Sequence, residues 1–216
     1  MTIAAPEKLS ALRDLLAGRF PTATRTTGRV LATGIPALDQ ARGGLPLGAV
    51  TELVSPRAGS GGHLVLASLL EVTRAARQRI ALVDAADCFD PESLPDNALE
   101  HVVWVRCRTT AQAVQATDLL ARDANFGAVF LDLRYATTGD LRRIPGSQWY
   151  RLQRAAEPAD LALLVLTPQA CVPSAEVRFL LNGRFHLADL AGERSLLAAG
   201  LDASLERQRR LLADAG

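Results

Sequence analysis

Five continuous apolar runs of strand length mark the middle of the chain: "AVTELV" from residue 49, "RIALVD" from 79, "HVVWVR" from 101, "GAVFLDL" from 127 and "LALLVLT" from 161. Between them lie longer segments with room for helices. Strands that are apolar on both faces need cover on both faces. The pattern therefore predicts an α/β fold with a mostly parallel central sheet and helices on each side. After Gln169 the spacing shortens, and "VRFLL", "RFHLAD" and "RSLLAA" follow one another through turn signals at "NG" and "AG". These predict antiparallel strands at one edge near the C-terminus.

The ends carry a different rhythm. Behind Pro6, Leu9, Leu12 and Leu16 recur at i, i+3 and i+7, which predicts a short amphipathic helix over 6–20, followed by the polar linker "PTATRTTGR". At the other end "LDASLERQRRLLADAG" sets Leu201, Leu205 and Leu212 in a weak apolar stripe and predicts a final helix. The expected organisation is an N-terminal helix and linker over 1–29, a core over 30–198 and a C-terminal helix over 199–216.

With 216 residues the chain has enough material for one well-buried core. Its 24 basic and 23 acidic residues leave a formal charge of +1, so no global field draws it to nucleic acid or a membrane surface. Lys8 is the sole lysine, so any cation in the core must be an arginine. Cys88, Cys107 and Cys171 are odd in number and lack metal-ligand spacing, and His63, His101 and His186 are scattered. Neither a disulfide scaffold nor a metal site is expected. No run approaches the roughly 18 apolar residues of a membrane span, so a soluble cytoplasmic protein with no membrane partner is expected.

"SPRAGSGGHL" follows the first core strand and precedes a helical pattern. A phosphate-binding loop has the frame G-x-x-x-x-G-K-[ST]: the glycines turn backbone N–H groups inward, the lysine reaches the phosphates and the hydroxyl holds Mg²⁺. Here Ser55 and Ser60 take the two glycine places, Gly61 the lysine place and Gly62 the hydroxyl place, with Gly59 inside the turn and His63 after it. Without cation or metal anchor, hydrolysis by this loop is not expected. A structural turn and a weak anion or nucleotide site at the helix N-terminus both stay open.

The wider sequence resembles the RecA recombinase core. "LATGIPALDQARGGLPLGAVTELVSP" is similar to its opening segment, "RIALVDAADCFDP" to its second strand and acidic segment, and "AQAVQATDLLARDANFGAVFLDL" to the helix and strand ending in the Walker B aspartate, here Asp132. "LALLVLTPQ" resembles the strand ending at the nucleotide-sensing glutamine, here Gln169. The resemblance implies a RecA-like P-loop-type sheet, and it also shows what is missing. Ala86 stands where active members carry the catalytic glutamate, and Ser93 where they stack adenine on tyrosine. Asp132 and Gln169 are remnants, no residue is assigned as catalytic, and no cofactor is expected.

The catalytically degenerate relatives of this size and layout are the ImuA group, related to the division inhibitor SulA. That likeness implies an adaptor in the bacterial DNA-damage (SOS) response, supporting translesion synthesis by binding RecA, an ImuB-like Y-family polymerase homologue, or both. The alternatives it leaves are a divergent ATPase and a SulA-like inhibitor. Candidate contacts are the Leu9, Leu12 and Leu16 stripe, docking on a RecA-fold neighbour or a second copy or else folding back on its own core. A further set lies within 134–154: Arg142, Arg143, Trp149, Tyr150, Arg151 and Arg154. Such a mixture suits single-stranded nucleic acid, a protein partner or plain surface; weak or no DNA binding is expected.

Overall fold

The computed structural model describes residues 29–40, 42–123, 125–186 and 188–208. The predicted helix over 6–20, with its leucine stripe, lies outside the described residues. A short antiparallel pair, β1 (Val30–Leu31) and β2 (Leu45–Pro46), brackets the one-turn helix α1 (Pro36–Asp39). This opening turn is held by one carboxylate. Asp39 accepts from the backbone N–H of Thr33 and of Gly34 and from the Thr33 hydroxyl, at 2.8–3.1 Å. A partly buried turn thus satisfies its polar groups locally.

The core alternates as the apolar runs predict. It comprises β3 (Ala49–Val54), α2 (Gly62–Ala75), β4 (Arg79–Asp84), β5 (Val102–Arg106), α3 (Thr110–Ala121), β6 (Phe126–Asp132), α4 (Thr138–Arg143), α5 (Gly146–Ala159) and β7 (Ala162–Thr167). β8 (Val177–Leu181), α6 (Arg194–Ala199) and β9 (Ala203–Gln208) follow. Among the described residues seven strands form one sheet in the order β5-β4-β6-β7-β3-β8-β9, parallel except for β9. The side chains of the central strands divide between two layers. Leu53, Leu82, Phe130 and Leu164 meet α2 on one face, while Val50, Val83, Val129 and Val165 meet α3 and α5 on the other. Burial on both faces is why these strands read as unbroken apolar runs.

The C-terminal third corrects three expectations. "VRFLL" is a strand, but it runs parallel to β3, and only β9 is antiparallel. "RSLLAA" is the helix α6, ended at Gly200, and the described residues of "RFHLAD" form no strand, leading instead into a 3-10 turn at Asp189–Ala191. The predicted final helix is replaced over 203–208 by β9; residues 209–216 lie outside the described set. Leu201 and Leu205 have helical spacing, yet they serve different surroundings. Leu201 is buried in the core before the strand begins, and Leu205 stands exposed on the sheet's edge.

A charged network sits inside this sheet. Glu52 on β3 is 0 % exposed; its Oε1 accepts from the backbone N–H of Cys171 (2.7 Å) and Val172 (3.1 Å), and its Oε2 from Arg178 Nε on β8 (2.6 Å). One carboxylate thus ties the β7–β8 connection to two neighbouring strands. Burial pushes the nearby Cys171 thiol up to about 12, with the Glu52 charge adding to the effect. Replacing Arg178 by Leu strands a buried charge, and urea denaturation is expected to show a loss of about 3 kcal/mol. The Glu52→Gln, Arg178→Leu double variant recovers part of it.

Candidate functional site

The glycine loop lies at the carboxyl end of β3, between that strand and α2, the place where open α/β sheets receive ligands. Its interior is closed. The Arg57 carbonyl accepts from the Ser60 N–H (3.3 Å), the Ser60 hydroxyl (2.8 Å) and the Ser55 hydroxyl (3.4 Å). The two serines in glycine places thus bind the loop's own backbone. Ser55 N–H is fixed to the Thr167 carbonyl at 2.7 Å.

The lysine and hydroxyl places are filled by packing. Gly61 caps α2 in a left-handed conformation (φ +110°), and a Cβ there would meet Leu201 Cδ1 at 2.2 Å. A Cβ on Gly62 would meet Leu166 Cδ2 at 2.8 Å. At Gly183 the returning chain passes so close that a Cβ would stand 2.7 Å from the Ser60 carbonyl. Leu201 is 3 % exposed. The segment between β8 and β9 therefore covers Gly61 and Gly62 with hydrocarbon, in the space that a lysine side chain would cross, while 56–59 stay exposed.

The acidic residues beyond the loop are engaged as well. Asp84, which ends β4, accepts from the backbone N–H groups of Ala86, Cys88 and Phe89 at 2.9–3.2 Å and so shapes the following turn. Asp132, which ends β6, accepts from Arg134 Nε to both oxygens at 3.0 and 2.9 Å, from Arg134 Nη2, and from the Arg134 N–H at 3.1 Å. Arg134 is nearly buried. Desolvation opposes its charge, but the bond to Asp132 outweighs it and holds the guanidinium above its ordinary value.

Cys88 lies between the two carboxylates, its Sγ 3.5 Å from Asp84 and 3.8 Å from Asp132. Burial, then the Asp132 charge, pushes its thiol up to about 12. His63, on the first turn of α2, is held below its ordinary value by desolvation and then by the Arg134 charge. The constellation contains a protonated thiol, a depressed imidazole and two carboxylates with partners. No group of three or more His, Cys, Asp or Glu among the described residues has the geometry of a metal site.

The remaining candidates separate. Gln169 is exposed beside a cleft of about 310 Å³ that also includes Arg142 and the ring of Trp149, at the start of α5. Trp149 is 2 % exposed and packs in the core under α5, so it is withdrawn as a contact residue. Arg151 is partly committed: it and Arg122 both grip Asp118 on α3, at 2.7–3.2 Å. Arg143 pairs with Asp140 at the surface. Arg142, Tyr150 and Arg154 face solvent.

The sequence reading missed the roles of Leu201, Glu52 and Arg134. Arg134 had a legible signal: two residues after Asp132 at a strand end, it falls on the same side of the chain. Leu201 had none, because a contact made 140 positions away leaves no local pattern. No protein-family model matches the chain, and no curated protein does either. Among the described residues no helix is long and apolar enough to cross a membrane.

Two outcomes follow from this geometry. Gly61→Ala puts a methyl group against Leu201 at a strained φ, and is expected to cost about 2 kcal/mol, a fall of about 4–8 °C in the thermal midpoint. With its thiol pushed up to about 12, Cys88 is held in the unreactive thiol form at pH 8. Iodoacetamide is therefore expected to label it in the native protein far more slowly than free cysteine, with rapid labelling on adding denaturant.

Proposed function

We propose that this chain is a nucleotide-independent adaptor on a RecA-like core, acting in the bacterial DNA-damage response through protein contacts. The fold-level support is positional. The glycine loop and Gln169 follow β3 and β7, and Asp84 and Asp132 end β4 and β6, four strands that lie side by side, so the segments carrying the RecA resemblance meet at one end of the sheet. A nucleotide would sit among them in an active relative.

One observation carries the functional reading: the lysine place abuts Leu201, and the remnant Asp132 is neutralised by Arg134 from its own strand end. A triphosphate would have to displace buried hydrocarbon and break a nearly buried ion pair, and would find neither lysine nor free carboxylate in exchange. That cost has no visible compensation. The rival reading is a divergent ATPase that takes its missing cation from an arginine such as Arg57, which stands exposed in the loop, or from a partner subunit; the Asp132–Arg134 pair counts against it by occupying the carboxylate that a metal would need. The partner class, RecA or an ImuB-like polymerase homologue, comes from the likeness to the ImuA group. Tyr150 and Arg154, exposed on α5, are the proposed contacts in the described part of the chain.

Calorimetry with ATP and Mg²⁺ is expected to give no heat of binding, and a phosphate assay no release. Turnover abolished by Asp132→Ala would instead establish the enzyme. Pull-down against RecA and the polymerase homologue is expected to be indifferent to ATP, and Tyr150→Ala with Arg154→Glu to weaken capture by about thirtyfold at unchanged thermal midpoint.

A further inference from the structure

A cleft of about 170 Å³ opens beside the glycine loop, where three segments of the chain meet: the first turns of α2, the connection from β4 to β5, and the start of α6. Its apolar wall is made by Leu66, Phe89 and Leu94, the first two nearly buried and the third partly so. Two charged groups share it. Asp90 accepts the Glu92 N–H on Oδ1 at 3.0 Å, and Arg194, half-buried, donates from Nη2 to the Ser93 carbonyl. Among the described residues neither forms an ion pair, with the other or with any third group, although both line the one cleft. His63 lies there too. Desolvation, then the Arg134 charge, holds its imidazole below the ordinary value against the pull of Asp90, so it is uncharged at neutral pH. One carboxylate and one guanidinium are thus the charges that the cleft presents.

Opposite charges that share a cleft without touching leave a gap with a negative and a positive end. A lone anion placed there meets the Asp90 carboxylate, and a lone cation meets the Arg194 guanidinium. A zwitterion satisfies both. The space slightly exceeds the roughly 150 Å³ void that holds a benzene ring, which suits one compact apolar side chain against the wall. We propose that the cleft binds a free α-amino acid with a branched aliphatic side chain, its carboxylate on Arg194, its ammonium on Asp90 and its side chain against Leu66, Phe89 and Leu94. The bound molecule would join the segment that carries Leu201 to the β4–β5 connection. This site stands apart from the adaptor reading and does not depend on it.

Calorimetry on the full chain with L-leucine, L-isoleucine and L-valine tests it. At least one of the three is expected to bind saturably with a Kd below about 1 mM, and to raise the thermal midpoint when added at about 10 mM. For leucine, leucinamide lacks the carboxylate and N-acetylleucine lacks the ammonium; each is expected to bind at least about tenfold more weakly than the amino acid. Two substitutions separate the ends. Arg194→Gln is expected to weaken the amino acid about tenfold and leucinamide not at all, while Asp90→Asn, which keeps an acceptor for the Glu92 N–H, weakens the amino acid about tenfold and N-acetylleucine not at all. No heat from any of the three amino acids, equal binding of the blocked compounds, or an affinity indifferent to both substitutions each overturns the proposal. A loss confined to Arg194→Gln would identify a simple anion site, and overturns it equally.

Discussion

Leu201 can lie over the start of α2 only because residue 61 has no side chain, and this steric exclusion organises the site. The missing Cβ admits the leucine, the leucine closes the loop from above, and the close pass at Gly183 brings the backbone that delivers it. Each step is a packing relation with little tolerance, since a core at crystal-like density yields only by straining its neighbours. A glycine sequence that resembles a ligand cradle has become part of a hydrophobic wall. The two serines in the loop complete the change, since their hydroxyls satisfy the Arg57 carbonyl rather than point outward.

Charge is handled in the same inward-looking way. Glu52 meets Arg178, Asp132 meets Arg134, Glu176 meets Arg42, and Asp118 meets both Arg122 and Arg151. Guanidinium suits this role better than ammonium, since its planar fork can address both carboxylate oxygens and it is less costly to desolvate. For Asp118, burial works against the charge, but the bonds from its two arginines win and hold it below the usual carboxylate range. An arginine cluster that looks basic in sequence is therefore partly consumed in folding, and less of its positive field reaches solvent than the letters suggest.

What the sequence made legible divides along the same physical line. "AVTELV", "RIALVD" and "VRFLL" coincide with β3, β4 and β8, and the other core runs match within a residue or two, because burial on both faces imposes a composition that survives reading. The serine and glycine substitutions in the loop were equally plain, since each removes a named chemical group. The reading failed where long-range contact overrode local pattern. "RSLLAA" became α6 because alanine and leucine favour a helix when no neighbouring strand claims them, while "ASLERQ" became β9 because β8 offered an open edge to pair with. Trp149 reads as a surface aromatic because its arginine neighbours are polar. Trp149, Leu152 and Ala156 recur at i, i+3 and i+7, and α5 turns that face to the core while the arginines between them face out.

The leucine that covers the loop also comes late in the chain. Every strand from β3 to β8 is synthesised before residue 201, so the wall formed by Leu166 and the start of α2 stays uncovered until Leu201 arrives. A nascent chain of this protein passes through an interval in which its most ligand-like surface is uncovered, and synthesis of the segment between β8 and β9 is the event that covers it.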